Sequence, residues 1–408
     1  APSERRRRGR RDHAAAVPRL PVPALRRLRA LTGGPVRLLP LLLLALLLQG
    51  CAIDAGGDSG GEQPIAALDC APGGPCAEPV EVRMVVLTMF EIGADTGDRP
   101  GEFQLWAERA NLTVRFPFPQ GHHDLFYDPE RRLLVMVTGI GTLKSGPNVM
   151  ALGLDPRFDL SKAYWLVAGI AGIDPEDASI GSAAWSAYLV DGDLGHEIDA
   201  REKPADWPTG YLARRSAGPY AQPRPASQGE VFVTNVALRD WAFELTKDLE
   251  LVDPEGTAEA RARYTEHPNA RRPPFVTRGG HIAAMTYWHG DLMNEWANRW
   301  VAYWSDGATD FVTSAMEDTG SFQAVEYLDR IGRADRDRFM VLRAGSNYTV
   351  PPPGMTAAEN LLAEREGYSG MTAALEALYL VGTTVIDELT GNWEIYRDRT
   401  PADAAAMP

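Results

Sequence analysis

The chain has 408 residues, is 45% hydrophobic and 24% charged, and carries a formal net charge of −14. The charge is unevenly placed: residues 1–50 hold 11 Arg against 2 acids, which leaves 53 acids against 30 bases in the remainder. A body that acidic repels phosphate backbones, which argues against nucleic acid as a partner, while the overall balance is that of an ordinary globular chain.

Residues 1–51 read as a targeting segment. Arg26, Arg27, Arg29 and Arg37 precede an apolar run over 38–48, too short for a bilayer, which takes roughly 20 residues, but suited to a signal-peptide core. Gly50 directly before Cys51 resembles a bacterial lipobox. The expectation is therefore an exported lipoprotein, held at a bacterial membrane facing the periplasm, by preference the outer membrane, through a lipidated Cys51. Residues 52–79 are rich in Gly, Ala, Pro and acids and read as a flexible tether. Within it Cys70 and Cys76, an even pair in an exported chain, are expected to close a small disulfide loop rather than to bind metal.

The body, 80–408, alternates short apolar strands with amphipathic helices. Strands are predicted over 82–87, 133–137, 163–167, 187–190, 231–234, 282–285, 311–313 and 339–343. Helices are predicted from Gly141 through 152 and over 238–249, 292–304, 321–331 and 371–389. Such interleaving predicts an α/β fold, a mostly parallel or mixed sheet covered by helices on both faces. No stretch after Cys51 offers the 18 consecutive apolar residues of a membrane span. Trp296, Trp300 and Trp304 fall at i, i+4 and i+8, a helical stripe for the core or a subunit interface.

Three strand ends carry residues with chemistry. The strand over 133–137 leads into Gly139-Ile-Gly141, and that over 163–167 into Gly169-Ile-Ala-Gly172. Both read as glycine turns in which backbone N–H groups can approach a ligand. Neither has the spacing of a dinucleotide fingerprint or a Walker loop, so no cofactor is expected. The strand over 311–313 runs into Met316-Glu317 at a helix start, where exposed N–H groups favour a carboxylate. Glu317 and Asp318 read equally as helix caps.

In this order, strand–Gly-Ile-Gly–helix, strand–Gly-x-Ala-Gly and a strand-end Met-Glu are similar to the nucleoside phosphorylase and nucleosidase superfamily. The purine nucleoside permease family is the closer resemblance. It rests on Thr88-Met-Phe-Glu91 with Thr96-Gly97, Pro100-Gly-Glu-Phe103, Trp288-His-Gly290 with Met293-Asn294 and Trp296, and Ser314-Ala-Met-Glu-Asp-Thr-Gly320. The resemblance implies a three-layer, nucleoside phosphorylase-like α/β/α fold, a homo-oligomer, and purine nucleosides as ligands. It implies that Glu317 accepts the ribose 2′ and 3′ hydroxyls while Met316 packs under the sugar. It places Trp288 against the base, with Tyr287 as the alternative, and Asn347, in Arg343-Ala-Gly-Ser-Asn347, on purine N7 and O6. Glu91 occupies the neighbourhood of a water-activating carboxylate, and His122 or His123 is within reach of a 5′ hydroxyl. Phosphate is not expected as co-substrate. Glu91 follows the first strand where phosphorylases place glycines, Val167 and Ile170 stand where they place Arg and Ser, and Lys144 and Ser145 are the only nearby replacements. The expected function is purine nucleoside binding with hydrolysis of the N-glycosidic bond. The alternatives are a nucleoside-binding component of transmembrane transport, or a phosphate-dependent phosphorylase.

Overall fold

A computed structural model describes residues 78–405. The targeting segment with Cys51, nearly all of the 52–79 tether, and the Cys70/Cys76 pair lie outside the described residues.

Strict alternation along the first strands builds two cores at once. In Met84–Thr88 and Leu133–Val137, every residue is buried. Met84, Val86, Leu133, Val135 and Val137 enter one apolar cluster; Val85, Leu87, Leu134 and Met136 enter another on the opposite face. Successive side chains of a strand point to opposite faces, so a strand buried throughout needs cover on both sides. The long helix Met371–Gly391 supplies it on the first face through Leu378, Val381, Val385 and Leu389. Helices Thr142–Gly153 and Asp318–Asp329 supply it on the second through Val149, Leu152, Phe322, Val325 and Leu328. This is the three-layer α/β/α arrangement predicted from the alternation of elements.

The 12-stranded sheet is mixed. At its centre Tyr164–Ile173 pairs in parallel with Met84–Thr88 on one side and along its whole length with Phe339–Tyr348 on the other. Its last residues pair antiparallel with Phe311–Ala315, whose other neighbour is the parallel strand Gly280–Ala283. Here the structure corrects the sequence reading: Gly169 and Gly172 lie within a ten-residue strand, not in a turn beyond it. The strand continues because Phe339–Tyr348 offers partners throughout, with Arg343 opposite Gly169 and Asn347 opposite Gly172.

The Trp296–Trp304 stripe lies on helix Asp291–Trp304 and is core: all three rings are buried with Val190, Ile282 and Phe311. Among the described residues no helix is long and apolar enough to cross a membrane.

Candidate functional site

At the carboxyl ends of the central strands lies a cavity of ≈ 300 Å³, bordered by Met89, Glu102, Met316, Glu317, Arg343 and Asn347. Strand ends are where open α/β sheets form their ligand crevices.

Glu317 lies between the strand Phe311–Ala315 and the helix Asp318–Asp329 and is 3% exposed. Its carboxylate makes no capping bond to its own helix. Instead Oε1 accepts from the Gly141 N–H at 2.8 Å, at the start of the other helix, and Oε2 accepts from Arg343 Nη2 at 3.0 Å. Gly141 has φ of 92°, a left-handed conformation that glycine adopts without penalty. Ser145 is buried in the same helix and donates to the Glu317 carbonyl oxygen at 3.0 Å, fixing the strand end from below. Lys144, one residue before it, is exposed.

Arg343 organises the site. Nε donates to Asp318 Oδ1 at 3.1 Å and Nη2 to Asp318 Oδ2 at 2.6 Å. Nη1 donates to the Ile170 carbonyl at 3.1 Å and faces Met89 Sδ at 3.8 Å. Together with the bond to Glu317, these acceptors occupy all five guanidinium N–H groups. Behind Asp318 stands His281, fully buried, with Nε2 at 2.8 Å from Asp318 Oδ2 and Nδ1 at 3.0 Å from Thr313 Oγ1. Burial alone pushes the Asp318 carboxyl up, but Arg343 and His281 outweigh it and hold the group well below the usual carboxylate range. Burial pulls the Arg343 guanidinium down, and the two carboxylates reverse that, leaving it raised. Gly169 makes room for this arrangement. A Cβ there would collide with Arg343 Nη1 and stand 2.8 Å from Met89 Sδ and 3.0 Å from Glu102 Oε1.

The carboxylate that faces the cavity from the first-strand side is Glu102, 3% exposed. Oε2 accepts from the Met89 N–H at 2.6 Å and Oε1 from the Ile170 N–H at 2.8 Å. With every Arg343 N–H directed elsewhere, burial dominates. The Glu102 carboxyl is pushed up to about 8, a rise to which the neighbouring Glu317 charge adds and which Arg343 and the two N–H bonds only partly offset.

Of the residues singled out from the sequence, Met316, Glu317, Tyr287, Asn347 and Gly172 line this cavity, and Gly141 contributes its N–H. Glu91 does not: its carboxylate turns back and accepts from the N–H groups of Ile92 (2.8 Å), Gly101 and Gln104 (2.6 Å), closing the loop that presents Glu102. Gly139 lies off the cavity beside Lys144 and His122. Trp288 does not border this cavity: it packs edge-on to Trp296, shares a narrow neck with Tyr287, Met316 and Asn347, and borders a second cavity of ≈ 180 Å³ with Tyr211 and Trp300. His122 is exposed. His123 bonds Asp95 at 2.9 Å, a contact that raises its pKa, and the Asp124 carbonyl at 2.9 Å. Neither borders the cavity.

Sequence reasoning passed over Glu102, Asp318 and His281 as functional groups. The signal for Glu102 was a lone carboxylate between Gly101 and the apolar Phe103, Leu105 and Trp106, all of which are buried. For the other two nothing local distinguishes an ion-paired residue from a cap or a strand polar residue. Among the described residues no group of three or more His, Cys, Asp or Glu has the geometry to hold a metal ion.

The family model described as purine nucleoside permease matches residues 81–401. A purine nucleoside permease of Candida albicans is 32% identical over 320 residues, covering 77% of each chain. A Schizosaccharomyces pombe protein named "Probable purine nucleoside permease" is 30% identical over 325 residues, covering 77% of this chain and 90% of its own. Among solved structures, a 5′-methylthioadenosine-bound Helicobacter pylori nucleosidase mutant aligns with a TM-score of 0.45 at 14% identity, over 76% of this chain and 99% of that one.

Proposed function

This chain belongs to the purine nucleoside permease family, and on that premise we propose that its cavity binds a purine nucleoside and hydrolyses the N-glycosidic bond. The observation that carries the reading is Glu102. A buried carboxylate faces the same cavity as the Glu317–Arg343 pair, and no guanidinium N–H is left for an anionic co-substrate.

Glu317 Oε1 accepts one bond and retains a lone pair for a ribose hydroxyl, while Oε2 accepts from Arg343 and, at 3.2 Å, from the Met316 N–H, a weaker bond that a second ribose hydroxyl can replace. Arg343 orients that carboxylate. As the C1′–N9 bond breaks, positive charge develops on the sugar, and the Glu317 carboxylate and, once ionised, that of Glu102 face it from buried positions. In its ionised form, whose share grows as pH rises toward 8, Glu102 takes a proton from the attacking water, the water oxygen bonds C1′, and the bond electrons leave with the purine, which takes up a proton from solvent. Asn347 and Tyr287 stand at the base end. Among the described residues Arg343 is the only Lys or Arg bordering the cavity. A buried phosphate dianion would therefore lack donors, a prohibitive cost.

Incubating the full chain with adenosine, inosine and guanosine in phosphate-free buffer tests this. Free base and free ribose are expected; strict phosphate dependence would overturn the hydrolytic step. Saturable binding without release would support the second reading, a nucleoside-binding component of uptake. The names of the relatives favour that reading. With no membrane-crossing helix among the described residues, it would act beside a membrane partner. For the amino-terminal segment, export and anchoring through an acylated Cys51 complete the proposal.

A further inference from the structure

At the base end of the cavity the hydrogen-bond directions are set by a chain of side chains that ends outside it. The Asn347 amide nitrogen lies 3.2 Å from the Tyr348 carbonyl oxygen and 2.8 Å from the Tyr287 hydroxyl. A carbonyl only accepts, so the nitrogen, not the oxygen, must occupy that side of the amide. Both N–H groups are then engaged. On the other side Ser346 Oγ lies 3.0 Å from Asn347 Oδ1 and 3.3 Å from the Ala171 carbonyl oxygen, with one proton to give to either. That leaves Asn347 at least one free lone pair and no free donor.

Tyr287 could release an amide proton only by reversing its own bond, and Glu364 prevents that. The Tyr287 hydroxyl donates to Glu364 Oε2 at 3.1 Å, while Oε1 accepts from Asn360 Nδ2 at 3.0 Å. With both oxygens accepting, the carboxylate keeps the tyrosine proton pointing toward itself, and the phenol oxygen must accept from Asn347. Tyr368 lies parallel to Tyr287, 4° between planes with centroids 6.5 Å apart, and its hydroxyl is a second acceptor for the Tyr287 proton, which again leaves the phenol oxygen to accept from Asn347.

We propose that the Glu364–Tyr287 pair is a specificity-determining device that makes Asn347 a pure hydrogen-bond acceptor, so that the site selects 6-aminopurine over 6-oxopurine nucleosides. A 6-amino group donates an N–H to Asn347 Oδ1. A 6-oxo group meets that same oxygen with another acceptor and stays unpaired. An unmatched buried polar atom of this kind reduces affinity about tenfold or more. Glu364 and Tyr287 act through Asn347 and are positioning residues. The inference rests on the nucleoside-site reading above and deepens it.

The test is equilibrium binding of 7-deazaadenosine and 7-deazainosine to the full chain. Both resist hydrolysis and lack the N7 acceptor, so they differ in what they present around the 6 position. The expected result is that 7-deazaadenosine binds at least about tenfold more tightly. Tyr287→Phe keeps the ring and its stacking but frees one Asn347 N–H, and should shrink that ratio severalfold by improving 7-deazainosine binding. Equal or tighter binding of 7-deazainosine by the unmodified chain overturns the inference and leaves the nucleoside site intact. A preference unchanged in Tyr287→Phe overturns the role of Tyr287 and Glu364. Failure of both analogues and of adenosine itself to bind overturns the nucleoside site, and this inference with it.

Discussion

Replacing Glu102 with Gln probes whether the cavity holds a carboxyl that is neutral when empty. An unfolded glutamate ionises near 4.5, whereas the folded group is pushed up to about 8. Between those values the folded protein retains a proton that the unfolded chain has lost. Stability from this group is thus fully present below pH 4.5 and falls as pH rises, until Glu102 is ionised above about 8. At about 1.4 kcal/mol per pH unit, the total loss is of the order of 5 kcal/mol. The Gln variant cannot ionise and lacks this slope. Its amide faces an N–H where the carboxyl accepted one from Met89 or Ile170, so it should begin about 1–3 kcal/mol less stable at pH 5. The assay is urea unfolding of both proteins from pH 4.5 to 9.5, in which other titrating groups cancel in the difference. The difference should shrink steadily and reverse sign toward pH 9. Parallel stability curves would refute the reasoning, because they would mean that Glu102 is ionised in the folded protein at neutral pH.

Glu317→Ala removes the acceptor at the sugar end and should weaken ribonucleoside binding by about 2–5 kcal/mol while the protein remains folded; unchanged affinity in a titration would leave Glu317 a purely structural residue. Arg343→Met strands Asp318 and Glu317 as buried unpaired charges and should cost about 3–5 kcal/mol in thermal or urea unfolding, so a near-neutral result would contradict the central role given to the guanidinium. Gly169→Ala places a methyl against Met89, Glu102 and Arg343, with an expected loss of about 1–3 kcal/mol and displacement of the Glu102 carboxylate, read as a changed pH profile of base release. Cys51→Ser should move the protein from the detergent phase to the soluble fraction; retention at the membrane would place the anchor elsewhere.

The elements themselves were legible because burial on one or two faces imposes a period on the chain. Leu133–Val137, the Trp296–Trp304 stripe and the helix Met371–Gly391 each fall within a few residues of the sequence reading. So did the site's address: a glycine turn before one helix and Met-Glu before another converge because both follow strands of one sheet. Three decisions were made by contacts that no local pattern encodes. The strand through Gly169 and Gly172 continues because its partner, some 170 residues later, supplies hydrogen bonds and an Arg343 side chain that needs the space of a missing Cβ. Tyr287 and Trp288 are neighbours in an irregular stretch, where no periodicity says which ring turns to the ligand; the tryptophan is claimed by the Trp296 cluster and the tyrosine is left to the cavity. Glu91 and Glu102 both follow the first strand, and composition cannot rank them. Chain closure decides: Glu91 satisfies three backbone N–H groups of the loop, and that closure carries Glu102 into a desolvated position beside a guanidinium whose donors are already engaged. A carboxylate's chemistry is set by the dielectric and the partners around it, and those come from segments far apart in the chain.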